Sequence, residues 1–316
     1  VLQRKAFAGP QILLAPALGV AVSVIVLFWV SVMGVPMRAA ALPVLVGLIA
    51  VAAGLWLWRR PVVPWARWRI ALPVVMGLAL VGWPLATNGF AWLGYANNDM
   101  ASYCLMAERL VNHGLNEPPT AAAIAANADF TLNSWLFEIN LARPGGHLVV
   151  AWVAALTARP ATEIYMPVLV ALHGVLVTAC GSLAWRRPRQ KTAGMVAMWL
   201  VAGSAITTLG AVSQLLPQIL GLSLGCGLLV TAWAPSIARW STGRVVLAGI
   251  LASSFSLSYP EFVPFIALPI LPMHLIASAL VVAWRLGAPL VRRRPLPCRR
   301  RETVPPCPTP WSRSRR

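Results

Sequence analysis

From Gln11 to Gly34 the chain runs 24 residues without one charged side chain. A run this long exceeds the roughly 7–15 residue core of a signal peptide. At about 1.5 Å per residue it is long enough to cross ~30 Å of hydrocarbon as a helix. It is therefore expected to stay in the mature chain as a membrane span. Further apolar stretches follow at 38–58, 70–89, 164–185, 192–210, 213–235, 245–260 and 262–285. Composition agrees: 59% of the 316 residues are hydrophobic and 11% charged, against about 45–50% and about 25% in soluble domains. Water would solvate such a surface poorly, so membrane lipids are the first expected partner. The expected fold class is all-α, a polytopic transmembrane helix bundle with an outer amphipathic-helix loop.

The net charge of +18 raises the question of nucleic acid. The basic residues, however, sit in short clusters between apolar stretches: Arg59, Arg60, Arg67 and Arg69; Arg186, Arg187, Arg189 and Lys191; Arg239 and Arg244; and the last arginines. That is the distribution of cytoplasmic loops, and no nucleic-acid partner is expected. With Arg4 and Lys5 inside, alternation of the spans puts every basic cluster inside and 90–146 outside. The acids fit independently. Asp99, Glu108, Glu117, Asp129 and Glu138 fall in that outer loop, Glu163 and Glu261 at outer span ends, and Glu302 alone elsewhere. The reading is a multi-pass protein of the cell inner membrane with a cytoplasmic amino terminus.

Four regions follow: amino-terminal spans over 1–89, an extracytoplasmic loop over 90–163, further spans over 164–286, and a basic tail over 287–316. The segment 147–156 is apolar but too short to cross alone. It is either a half-buried or interfacial outer helix, or, with 164–185, one of two tilted spans that invert everything downstream. The arginines at 186–189 favour the first. The Arg- and Pro-rich tail has no periodicity and is expected to be disordered. It either binds anionic lipid or is the out-of-frame end of a truncated gene. Cys104, Cys180, Cys226, Cys298 and Cys307 show no CxxC spacing and no His companions, so no zinc or haem motif is present. Nothing in the sequence fixes an oligomeric state.

The outer loop carries the most information. Asn97 and Asn98 are good N-cap residues and Asp99 suits a first helical turn. Tyr103, Met106, Ala107, Leu110 and Val111 recur at helical spacing, and Gly114 is placed as a C′ residue. The pattern predicts an amphipathic helix over 99–113 at the membrane surface.

The pattern Asp99-x-x-x-Tyr103-x-x-x-Ala107-x-x-Leu110-x-x-x-Gly114, directly after a span, resembles the first outer loop of the GT-C glycosyltransferases. That superfamily includes protein O-mannosyltransferases and aminoarabinose transferases of lipid A. Arg143-Pro144-Gly145-Gly146-His147 before an apolar helix is similar to the proline-containing entry to that family's next helix. The resemblance covers about 90–185. It implies a polytopic enzyme using a polyprenyl-phosphate sugar donor, with Asp99 as the catalytic loop carboxylate. In one respect the chain departs from the family: Asn98 and Met100 flank Asp99 where a second acid often stands. The cofactor is therefore open, since no ligand motif supports a divalent metal.

The residues support that chemistry by themselves. Transfer from a phosphate-linked sugar needs a base for the acceptor hydroxyl and a cation for the departing phosphate. Asp99 is the candidate base. Arg143, His147 and Arg109 are candidates for the phosphate. Glu261, in Ser258-Tyr259-Pro260-Glu261, ends a span on the same face and would bind acceptor or metal. Gln214 and Gln218, four apart, are read on one helix face. They would bind sugar hydroxyls or join helices. His173 and His274 fall near mid-membrane and are read as packed. Two other functions fit the class: a transporter or permease, and a non-catalytic subunit of envelope polysaccharide assembly. An enzyme should gather Asp99, Arg143 and Glu261 at the outer face, a transporter at mid-depth, and a scaffold nowhere.

Overall fold

A computed structural model describes residues 9–59, 69–90, 98–127, 130–141, 143–185, 188–232 and 241–268, with short helical pieces between 271 and 283. The tail from 287, with Cys298 and Cys307, lies outside the described residues, as does His274. The described residues form helices and no strand: α1 (Gly9–Val32), α2 (Met37–Arg59), α3 (Ala71–Asn88), α4 (Asn98–Asn112), α5 (Ala121–Ala125), α6 (Leu132–Leu141), α7 (Gly145–Thr157), α8 (Ala161–Ala184), α9 (Lys191–Ala202), α10 (Ala205–Val212), α11 (Leu216–Ala232) and α12 (Thr242–Ser258). Four of them, α1, α2, α3 and α8, are long and apolar enough to cross a membrane, and up to six spans result if each bent helix pair counts as one. The chain is a multi-pass, all-α membrane protein.

The stretch expected as one span over 192–210 is broken. α9 and α10 meet at 46°. Gly203 ends α9, and the Ser204 hydroxyl caps α10 by accepting from the Thr207 amide. Ser and Gly in an apolar run do not announce a break, because membrane helices tolerate both. A sharper bend of 116° follows α12. Pro260 has no N–H to continue the helix, and the chain turns at Tyr259.

α8 is the axis of the bundle. Its spanning window is 72% buried, against 33% for α1, 17% for α2 and 22% for α3. Small residues let its neighbours approach. A Cβ at Gly77 of α3 would touch Val177 and His173, one at Gly181 of α8 would strike Met198 of α9, and one at Gly227 of α11 would meet Leu251 of α12. These pairings fix direction. Gly82 lies by Val170 and Gly77 by Val177, so α3 runs antiparallel to α8. Ser182 at the end of α8 donates to the Pro10 carbonyl at the start of α1 (2.9 Å).

The bundle therefore has two distinct ends. One carries the 98–141 segment, because the Leu115 amide donates to Ser31 O at the end of α1 (3.0 Å) and Glu108 Oε1 accepts from the Ala161 amide at the start of α8. Glu108, Glu117, Glu163 and Glu261 all lie at this loop end. Arg69, Arg189, Lys191 and Arg244 lie at the starts of α3, α9 and α12, at the far end. Arg38, Arg109, Arg143 and Arg159 are the described arginines at the loop end.

α7 settles the ambiguity over 147–158. A Cβ at Gly145 would fall on Ser258 at the end of α12, and one at Gly146 on Leu216 at the start of α11. Farther along, Trp152 Nε1 donates to Ala41 O near the start of α2 (3.0 Å). Ala158, left-handed at φ 52, then turns the chain into α8. Both ends of α7 thus stay at the loop end. Nor is it interfacial or half-buried: Gly145 to Ala151 are all buried. α4 lies across it, and Tyr103, Met106, Ala107 and Leu110 turn to protein.

Candidate functional site

α4 starts at Asn98, as its sequence pattern requires, so the Asn97 cap position lies outside the described residues. Asp99 is the second residue of the helix; its backbone is placed and its side chain lies outside the described part. At the other end Gly114 is needed for a different reason than expected. Its φ is not positive. Instead a Cβ there would collide with the Gly34 backbone in the α1–α2 turn, so glycine permits a close approach.

One turn after Asp99, Tyr103 is buried against the start of α7. Its ring lies 4.9 Å from that of His147 and is stacked on Tyr165 of α8 at 6.3 Å and 7°. The Arg143 guanidinium sits 5.9 Å from the Tyr103 ring centroid, within cation–π range. Arg143 Nη1 donates to Glu261 Oε1 at 2.8 Å. Gly145 and Gly146 allow this, since α7 begins wedged between Ser258 and Leu216. The side chains of Arg143 and Glu261 are 15% and 47% exposed. An ion pair this open contributes about 0–1 kcal/mol, so it matters for where it holds the cation.

His147 is 1% exposed. Burial pushes its pKa down to about 3, and the Arg143 charge lowers it further. The imidazole is neutral at physiological pH. It offers a donor and an acceptor, but it is not the phosphate cation that its sequence position invited. Arg109 fails in that role too. It is 4% exposed, donating through Nη1 to Thr131 Oγ1 (3.0 Å) and through Nη2 to Glu117 O (2.6 Å). It ties the loop together. Of the three proposed cations, Arg143 alone stands beside Glu261.

The two glutamines do not share a helix face. α11 begins at Leu216 with Pro217 in its first turn, where a missing N–H costs nothing. Gln218 follows, half-buried. Gln214 is in the elbow before it, at φ 62. A non-glycine residue in this region costs about 1–2 kcal/mol. The elbow is pinned: Gln214 N donates to Ala211 O (3.0 Å), while Gln214 O accepts from the Tyr165 hydroxyl (2.6 Å) and the Leu216 amide (3.0 Å). The side chain is 0% exposed, and neither amide atom has a hydrogen-bond partner among the described residues. A buried polar group left so costs about 1–3 kcal/mol.

A second, open feature lies toward the other end of α4. A cleft of about 390 Å³ is lined by Glu108, Arg109, His113, Glu117 and Thr131, with Pro118 and Pro119 as a wall. His113 Nδ1 and Glu117 Oε1 lie 2.8 Å apart. The His113 hydrogen bond, helped by the Gly114 amide, holds the Glu117 carboxyl below its usual range. Among the described residues no three His, Cys, Asp or Glu side chains come together as a metal-binding group.

The loop end thus gathers Arg143, Glu261, His147 and Gln214, and adds two residues that sequence reasoning took for core: Tyr103 and Tyr165. One signal was available. The chain has 4 tyrosines among many aliphatic residues, and Tyr103, Tyr165 and Tyr259 all lie at this end. A buried Tyr in an aliphatic face needs a partner for its hydroxyl, which points to nearby polar groups.

No family model matches the chain, and no curated protein or solved structure shows detectable similarity to it.

Proposed function

We propose that the chain is an integral membrane glycosyltransferase-like protein that moves a sugar from a polyprenyl-phosphate donor to an envelope acceptor. The loop end is placed outside the cell inner membrane, with the amino terminus in the cytoplasm. The observation that carries this reading is the meeting of Arg143 with Glu261 at the loop end, above Tyr103 on the helix that Asp99 begins. A permease would gather its charges at mid-depth. A non-catalytic subunit has no need to converge them.

In the reaction the Asp99 carboxylate takes the proton of the acceptor hydroxyl. The acceptor oxygen forms a bond to the anomeric carbon, and the bond from that carbon to the phosphate oxygen breaks. The electron pair leaves on the polyprenyl phosphate, whose growing charge Arg143 meets. Arg suits this role because its planar fork matches phosphate oxygens and it stays charged. Glu261 keeps the guanidinium aimed. The lipid tail stays among the apolar helices while the sugar reaches the water-facing loop.

Transfer assays in membranes, with radiolabelled polyprenyl-phosphate sugars as donors, test this. Asp99→Asn keeps size and capping ability but is a far weaker base. It should lower transfer by about 10²–10⁴ at unchanged expression. Full activity of that variant would overturn the assignment.

A further inference from the structure

We infer that the Gln214 carboxamide is the group that reads the sugar hydroxyls of the donor, and that the elbow between α10 and α11 holds it ready for them. This rests on the donor class proposed above.

Neither packing nor the turn asks for glutamine at 214. A left-handed φ of 62 favours Gly or Asn. A site with 0% exposure favours an apolar side chain. Glutamine satisfies neither demand, yet the backbone around it is fixed by three hydrogen bonds, one from the Tyr165 hydroxyl. What those bonds hold in place is an amide with two donors and an acceptor oxygen, all without a partner among the described residues. Native interiors seldom leave a whole carboxamide unpaired, and strained backbone of this kind concentrates where a ligand binds.

The location says what the ligand is. Tyr165, which clamps Gln214, stacks on Tyr103, and Arg143 stands over Tyr103. The amide thus belongs to the cluster that would meet the donor phosphate. An uncharged amide that both donates and accepts matches neutral hydroxyl groups, and it gives a second anion no charge to bind. Phosphate to Arg143 and hydroxyls to Gln214 is a division of labour that fits a phosphate-linked neutral sugar.

The test uses the full chain in lipid nanodiscs and two kinds of probe: bare undecaprenyl phosphate, and the same lipid carrying mannose, glucose or aminoarabinose. Wild type should bind at least one sugar-bearing lipid more tightly than the bare one. Gln214→Leu should lose that increment, a weakening of about tenfold or more, and bind the bare lipid as before. Its melting temperature without ligand should rise, because an unpaired amide is gone. Gln214→Asn, which suits the left-handed backbone, guards against misfolding and should also weaken only the sugar-bearing lipid. Arg143→Gln should weaken both probes. Equal effects of Gln214→Leu on both probes, no effect on either, or a wild type indifferent to the sugar overturns the inference and leaves the donor class standing. A wild type that binds none of these lipids sinks the donor class, and the inference with it.

Discussion

Arg143 and Glu261 meet at 2.8 Å across 118 residues of chain. One stands at the entry to α7 and the other just past the bend that ends α12. Their contact closes the loop end of the bundle, and it depends on two glycines between them in space.

Glu261→Gln should therefore change function more than stability. The carboxylate is 47% exposed, and a pair this open contributes about 0–1 kcal/mol, less at high salt. The expected melting shift is small and disappears in high salt. Transfer should fall, because Arg143 is no longer aimed. A large loss of stability that persists in high salt would make the pair structural.

The glycines are a sharper test of the packing. Gly145→Ala would push a methyl into Ser258 and the Leu257 carbonyl, and Gly146→Ala one into Leu216. Overpacking of this kind costs about 1–3 kcal/mol. Gly145 should be the costlier, since its neighbours include backbone, whereas the Leu216 side chain has some freedom to move. Gly249→Ala on α12, where nothing lies within 4 Å, is the control and should be neutral or stabilising. Thermal melts of the three variants decide the order.

His147 gives stability a pH dependence with a definite sign. Its folded pKa is about 3, below the ordinary value of 6.5. The unfolded chain thus binds the proton more readily. Stability from this group is complete above about 6.5 and is lost as pH falls from there toward 3, by up to about 1.4 kcal/mol per pH unit. His147→Gln should flatten this slope, so the gap in melting temperature between wild type and variant narrows or reverses from pH 7.5 to pH 5. Parallel curves would mean that the imidazole is not held neutral.

Much of this was legible in the sequence, for physical reasons. Apolar runs of span length have few alternatives in a membrane, so α1, α2, α3 and α8 appear close to where hydropathy puts them. α4 announces itself through its spacing, and Arg143 and Glu261 were both named for the same face. The misses share a cause. The burial of α7, the neutral His147 and the use of Tyr103 as a floor beneath Arg143 all depend on α4 covering α7, a tertiary fact without a local signature. Gln214 was misplaced because Gln214-Leu215-Leu216-Pro217-Gln218 reads as continuous helix. A Tyr hydroxyl 49 residues away is part of what holds its backbone out of one.

The two ends of the bundle provide the last prediction, on orientation. Arg69, Arg189, Lys191 and Arg244 share the far end, and the described glutamates share the loop end. Basic residues near span ends stay on the cytoplasmic side, which puts the loop outside. Thr120 and Arg189 are exposed at opposite ends. Thr120→Cys and Arg189→Cys should therefore react with an impermeant maleimide from opposite sides of the membrane. Native thiols must be silent for this. Cys104 is buried, and burial together with the Glu108 charge pushes its pKa up to about 12, so it holds almost no reactive thiolate. Cys298 and Cys307 are replaced by Ser. In intact cells Thr120→Cys should label at once, and Arg189→Cys only after the membrane is opened. The reverse order would turn the molecule over and put the Arg143–Glu261 site in the cytoplasm. Labelling of both from outside would break the alternation of spans on which the orientation is built.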